Sequence, residues 1–552
     1  MAVFGKMSVA AGALCLATSM LGAQAAPAKP VCDVDAAMKG NAARASLSVN
    51  LAREAAAPAV AASNLKSAVR LLETVDKNDD AVADAYVLGT AISLWANQPG
   101  IGLTPKRATL GFVERPSEIV DVPSTIDSLF RIVEAAKPLC KDYAAYWRAG
   151  QKFYLDIVNG AINSLNAGNL DSAEYYASQA NKLYAGSPYG TMVLGSVASK
   201  RAESDSGRRV SLKAKAIEYW TTSAAASDRD SAYRDVRRQM FVNIGTTYMG
   251  DANAASGAAR VATARKAAEA YSNLISVPGT RGQYLSAGRQ SLQNALLIAG
   301  DTAEAAKTWQ PLIADPSGFE YQDLLNSAVS ASRAMKSQDA ARLFEGVLSQ
   351  NPNSRDALFN LAITYLTLEQ NDKIGPIVTR LVALDPGNPE NYNLAARAYL
   401  TLAKTAEKAK KPGVAAAYND TTLTWYNQGN KLPIEVTFNE FSPSDKQVVI
   451  SGTVLDRRDK VDANSADAAP PPQPAAKAVK GKPAPRTAQK APAPKVYPPK
   501  ATTLSFEALD KTGAVVGTKA VTTESLSPGA KFKFTLTIPG AGATAYRYKI
   551  SE

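Results

Sequence analysis

Residues 321–354 read YQDLLNSAVSASRAMKSQDAARLFEGVLSQNPNS, and residues 355–388 read RDALFNLAITYLTLEQNDKIGPIVTRLVALDPGN. The two segments are 34 residues each and lie in register: Ala328 answers Ala362, Ala340 answers Ile374, Phe344 answers Val378 and Pro352 answers Pro386. A period of this length, with the order small, small, bulky, proline, describes stacked helical hairpins. One such unit cannot bury its apolar face alone and does so against its neighbours. Small residues let two helices approach, bulky ones fill the space toward the next unit, and the proline stops the second helix because it lacks an amide hydrogen. What such a stack makes is surface, so the reading predicts a scaffold and leaves its partner unnamed.

Working outward, the same grammar recurs in looser form. Gly168-Asn169 with Ala173 and Ala177 gives one hairpin, and Leu194-Gly195 with Ala216 and Trp220 gives another. Ile244-Gly245 and Tyr248 with Ala267, Tyr271 and Leu274 give a third, and Gly300-Asp301 with Ala305 and Trp309 a fourth. After the two clean units, Tyr392, Ala395, Ala396 and Tyr399 begin a seventh, whose second helix follows Lys411-Pro412-Gly413. The pattern resembles the tetratricopeptide repeat (TPR) family over residues 151–432, although no unit carries the tryptophan of the first-helix consensus.

That resemblance implies a concave face lined by the first helix of each hairpin. Its candidates here are Gln290 and Asn294, then Asp356, Phe359 and Ile363, then Asn393 and Arg397. Asn side chains could satisfy a bound peptide backbone while Phe359 anchors a side chain. The family's basic clamp for a terminal carboxylate is met only in part, by Asn393 with Arg397.

Upstream, Lys6, the apolar run Met7–Leu21 and the small-x-small exit Ala23-Gln24-Ala25 read as a secretory signal peptide over residues 1–25. Cys15 lies within it, without lipoprotein spacing. The expectation is an exported chain, periplasmic or envelope-associated, with no transmembrane span, since no other segment approaches the roughly 20 apolar residues a spanning helix needs. Cys32 and Cys140 would then remain, either bonded or as two free thiols. Residues 26–150 read as a helical region interrupted by an irregular loop at 97–123, rich in Pro and Gly. Ser124, with Asp127 three residues on, reads as the cap of the helix that follows.

After Leu432-Pro433 the apolar period changes to alternation: Val436 and Phe438, then Val448 and Ile450, then Leu504 and Phe506, then Phe532, Phe534, Leu536 and Ile538. The order Ile450-Ser451-Gly452-Thr453-Val454, Phe506-Glu507-Ala508-Leu509-Asp510 and Leu526-Ser527-Pro528-Gly529 resembles the bacterial FxLYD-type immunoglobulin-like domains. The expected fold is therefore mostly α: a TPR-like helical-hairpin solenoid followed by a small immunoglobulin-like β-sandwich over 433–552. An Ala/Pro/Lys-rich loop at 463–500 interrupts that domain and is expected to be disordered.

The formal charge is +12, and from Pro470 to Lys500 there are seven basic residues and no acidic one. Much of the basic excess thus belongs to that loop. It could engage an anionic envelope polymer, or act as a solubilising spacer; nucleic acid is not expected for an exported chain.

The chain has no histidine. That removes the usual imidazole base, the Ser-His and Cys-His nucleophile pairs and the commonest transition-metal ligand. Ser63-x-x-Lys66 and Lys511-Thr512-Gly513 resemble two motifs of penicillin-recognising enzymes, but they fall on an Ala-rich helix and in a turn of a separate domain. No phosphate-binding or dinucleotide glycine loop occurs. The expectation is a non-enzyme with no cofactor and no metal, acting as an adaptor through protein or peptide binding. The alternative is a structural or cell-wall-binding envelope protein that uses the basic loop and β domain.

Overall fold

In a computed structural model, residues 38–73, 81–136, 152–460 and 497–551 are described. The expected signal peptide at 1–25, Cys32, Cys140 and most of the expected loop at 463–500 lie outside them. The chain divides into two compact units, Met1–Gly288 and Arg289–Glu552.

The first unit opens with α1 (Gly40–Glu54), α2 (Pro58–Glu73) and α3 (Ala81–Ala96). Leu65, Val69, Ile92 and Trp95 meet Ile126, Phe130 and Val133 of α5 (Val122–Ala136) in one core. Between them runs the Pro/Gly-rich segment, whose regular structure is the single turn α4 (Arg107–Leu110) and an isolated bridge between Lys106 and Ile119. It is pinned rather than loose. Arg107 donates to Glu73 Oε1 at 2.8 Å and to the Glu114 carbonyl at 2.9 Å, and lies 4.1 Å from the centre of the Phe112 ring. Gly111, at φ 108°, passes so near α2 that a Cβ there would sit 2.7 Å from Lys66 Cα.

The cap of α5 differs from the expected one. Asp121 accepts from the Ser124 amide at 3.1 Å, and its carbonyl accepts from Thr125. Ser124 and Pro123 are already helical, a position proline tolerates because first-turn amides have no intrahelical partner.

Fourteen helices then follow as seven hairpins. They are α6 (Lys152–Asn166) with α7 (Leu170–Leu183), α8 (Pro188–Ser204) with α9 (Arg209–Ala226), α10 (Arg234–Ala254) with α11 (Gly257–Ser276) and α12 (Gly282–Ala299) with α13 (Thr302–Ala314). The last three are α14 (Tyr321–Arg333) with α15 (Ser337–Gln350), α16 (Arg355–Thr367) with α17 (Ile374–Leu384) and α18 (Pro389–Lys408) with α19 (Pro412–Asn430). The unit boundary falls inside α12.

The small-against-bulky rule holds in atomic detail. A Cβ on Gly195 of α8 would lie 2.5 Å from the Trp220 ring of α9, and one on Gly245 of α10 would lie 2.6 Å from Tyr271 of α11. Five hairpins turn through one device: a left-handed residue at Gly168, Gly300, Met335, Glu369 and Lys410. The next amide then reaches back five residues, as in Asn169 to the Ser164 carbonyl and Lys336 to the Ala331 carbonyl.

The described residues of the C-terminal domain form a six-stranded antiparallel sandwich. One sheet has the order β1 (Ile434–Pro443), β2 (Gln447–Asp456), β5 (Lys531–Pro539); the other has β4 (Val515–Thr522), β3 (Thr503–Leu509), β6 (Ala545–Ser551). Register pairs Val436 with Val454, Ile450 with Leu536 and Phe506 with Tyr548, so alternate residues enter a shared core. The basic loop starts and ends at one clamp: the Arg458 guanidinium grips Asp456 and donates to the Pro498 and Leu526 carbonyls. Lys500, placed in the loop by sequence, already pairs with Leu526.

Candidate protein-binding face

The left-handed turns fix how the first helices compare. Gly300, Met335 and Glu369 are equivalent, so the offset is 35 residues from α12 to α14 and 34 from α14 to α16, and Pro352 and Pro386, which precede α16 and α18, set the same 34 from α16 to α18. On that alignment Gln290, Leu325, Phe359 and Asn393 form one column across four hairpins, and Asn294, Val329, Ile363 and Arg397 form a second. A third holds Gln322, Asp356 and Glu390. All seven residues expected from the sequence thus fall in repeated first-helix positions.

Their exposure fits a face. Gln290, Asn294, Asp356, Ile363 and Arg397 are exposed, while Phe359 and Asn393 are half-buried. Phe359, Leu325 and Val329 also pack against the repeat core. Ile363, 40% exposed, is the apolar group of these columns most available to a partner. Read from α12 to α18, the two columns run polar, apolar, apolar, polar. The Asn393 amide is held by Glu390 Oε1 at 3.4 Å, and the Asp356 carbonyl accepts from Asn360 at 2.7 Å.

Sequence reading missed the contribution of α14: Gln322, Leu325 and Val329 lie between the residues it named. The signal was available in the 34-residue offset, which carries Asp356, Phe359 and Ile363 back onto these three. Beneath the face, bonds of the same pitch tie α12 to α14. Arg289 meets Asp323 at 2.7 Å with both side chains nearly buried, and Gln293 donates to Ser327 at 3.0 Å.

A second arrangement was not visible in sequence: the β-sandwich is docked on the repeat ends. Asn351 donates to the Thr544 carbonyl at 2.9 Å, and the Gly387 carbonyl accepts from the Val436 amide at 2.9 Å. The Tyr548 hydroxyl donates to Asp385 Oδ1 at 2.6 Å and accepts from the Gly387 amide at 2.9 Å. Arg355, at the start of α16, lies over Phe438 at 4.4 Å and Tyr546 at 4.7 Å and within 3.8 Å of Asp385. Burial and the nearby Asp385 carboxylate push the Tyr548 phenol well above its ordinary range. Burial opposes the Arg355 charge, but Tyr546, Asp385 and Asp356 more than offset it, and the guanidinium is held still more firmly protonated.

Among the described residues no group of three His, Cys, Asp or Glu could hold a metal ion, and no helix is long and apolar enough to cross a membrane. Ser63 and Lys66 lie on α2 in the first unit, and Lys511-Thr512-Gly513 in the β3–β4 turn of the second.

No protein-family model matches the chain, and no curated protein does. Among solved structures it is similar to a tetratricopeptide repeat protein from Parabacteroides merdae ATCC 43184, at 14% identity and a TM-score of 0.25, over 49% of this chain and 98% of that one. It is also similar to the P58(IPK) TPR domain, at 13% identity and a TM-score of 0.18, over 70% of this chain and 99% of that one. Overlays this loose carry no argument about the face. The chain's own hairpins and 34-residue pitch make it a TPR-like stack followed by a small antiparallel sandwich.

Proposed function

We propose that this chain is an exported, non-catalytic scaffold that gathers protein partners at the cell envelope, taking a peptide segment of the partner across the first helices of its last four hairpins. The observation that carries the reading is the pair of columns Gln290–Leu325–Phe359–Asn393 and Asn294–Val329–Ile363–Arg397. Four hairpins present equivalent positions, apolar in the middle and polar at both ends, which suits a segment that buries a few side chains centrally and satisfies its polar groups at the rim. The signal-like leader supports export, and the order of apolar and turn residues in the C-terminal domain supports an immunoglobulin-like assignment.

A photo-cross-linking residue placed at Val329 or Ile363 in intact cells should capture the same protein. One placed at the exposed Thr379, on a second helix, should not. Ile363→Asp with Arg397→Glu should weaken the captured complex by about 2 kcal/mol or more if these positions include a hot spot. Equal capture at all three positions, or none at the first two, would sink the proposal.

The second reading, attachment to an anionic cell-wall polymer, is favoured by the Arg458 clamp, which fixes both ends of the basic tract on the sandwich. Deleting residues 463–500 should then abolish sedimentation with purified sacculi while leaving cross-linking at Ile363 intact.

A further inference from the structure

The last hairpin is longer than the three that precede it. Thr401 of α18 is the counterpart of Thr367, the last residue of α16, yet α18 continues to Lys408 and α19 starts only at Pro412. Seven more residues at about 1.5 Å each carry the tip roughly 10 Å past the preceding turn. Ala403, Ala406 and Ala415 are buried between the two helices, so the extension is packed rather than frayed.

Its outer surface is basic. Lys404, Lys408, Lys410 and Lys411 are all exposed, none forms an ion pair among the described residues, and Glu407 is the only acid among them. From Lys408 to Asn419 there is no acidic residue. The amino end of α19 points into this cluster with no side-chain cap on it, and at Gly413 nothing lies within 4 Å of where a Cβ would be, so the backbone there is open to approach. Val414, beside it, is 45% exposed.

We infer that the α18–α19 tip docks on the surface of an anionic phospholipid bilayer. Two features choose that occupant. The site is convex and projecting, which a plane can meet and a groove-seeking peptide cannot. Its charges are spread around a turn rather than converged on a point, which suits many headgroups sharing a diffuse negative potential. Open helix-terminal amides add donors for headgroup phosphates.

The test is co-sedimentation of the full chain with mixed phosphatidylglycerol–phosphatidylcholine vesicles and with pure phosphatidylcholine vesicles. Wild type should bind the anionic vesicles only, and release with salt. The variant K404Q/K408Q/K410Q/K411Q should bind roughly tenfold or more weakly, with its helix signal unchanged. A chain with glutamine at all six basic positions from Lys477 to Lys495 should retain binding. Four results would overturn the inference: no binding by wild type, equal binding to neutral vesicles, undiminished binding by the tip variant, or equal loss in both variants. Binding to soluble polyglutamate but not to vesicles would also overturn it, and would assign the tip to an acidic protein.

Discussion

At the scale of single residues, one kind of substitution should have opposite signs at two places. Gly195→Ala puts a methyl 2.5 Å from the Trp220 ring, so α8 and α9 must part. The gain in helix propensity, about 1 kcal/mol, is outweighed by overpacking, and a net loss of about 1–2 kcal/mol is expected. Gly250→Ala, in α10 with nothing within 4 Å, should instead stabilise by about 0.5–1 kcal/mol. Denaturant midpoints of the two variants check both. Glu73 sets a pH dependence. Desolvation alone would raise its pKa, but hydrogen bonds from the Val113 and Glu114 amides and from Arg107 outweigh it, and the carboxyl is held below its ordinary value of 4.5. A lowered folded pKa means its contribution is complete above the unfolded value and fades as pH falls through the folded one. The 107–120 segment should therefore lose hydrogen-exchange protection below about pH 4.5. Glu73→Gln should cost about 1–3 kcal/mol at neutral pH and flatten that acid limb.

At the scale of elements, the repeat-ending prolines have a second use. Pro352 and Pro386 stop their helices, as the sequence implies. The residues just before them, Asn351 and Asp385, are 34 apart and both reach the sandwich. Each repeat end is thus also a docking peg, and the sandwich is part of the same compact unit as the last hairpins. Tyr548→Phe tests the joint. It takes a donor from a buried carboxylate and an acceptor from the Gly387 amide, and should lower the stability of that unit by about 1–3 kcal/mol. Loss confined to the sandwich, with hairpin protection unchanged in hydrogen exchange, would show the two are not coupled. The choice of cap at α5 has the same local character. Asp121 offers a carboxylate to the Ser124 amide and a carbonyl to Thr125, while Ser124 is already inside the first turn, a distinction that spacing alone does not make.

At the scale of the whole molecule, the hairpin order was legible because it is periodic. Small residues that admit a neighbouring ring, turns at Gly168 and Gly300, and helix-stopping prolines recur in a fixed order, with a strict 34-residue step in the last units, and each is a local steric requirement. The candidate face was legible in part, since equivalent positions repeat, but α14 was passed over because Gln322, Leu325 and Val329 do not announce themselves as ligand-contacting residues. The 34-residue repeat carries Asp356, Phe359 and Ile363 back onto them, and the turn geometry then links them to Gln290 and Asn294 through the one-residue change in pitch between α12 and α14. By itself the sequence determined the period, the helix and strand grammar, the absence of histidine chemistry and the place where the basic tract interrupts the sandwich. Tertiary structure alone decided that the sandwich is seated on the repeat ends, that Arg355 lies over the Phe438 and Tyr546 rings while its neighbour Asp356 stays exposed, and that the last hairpin overhangs. Those outcomes depend on which distant surfaces meet, and burial energies between segments far apart in the chain leave no fixed spacing to read.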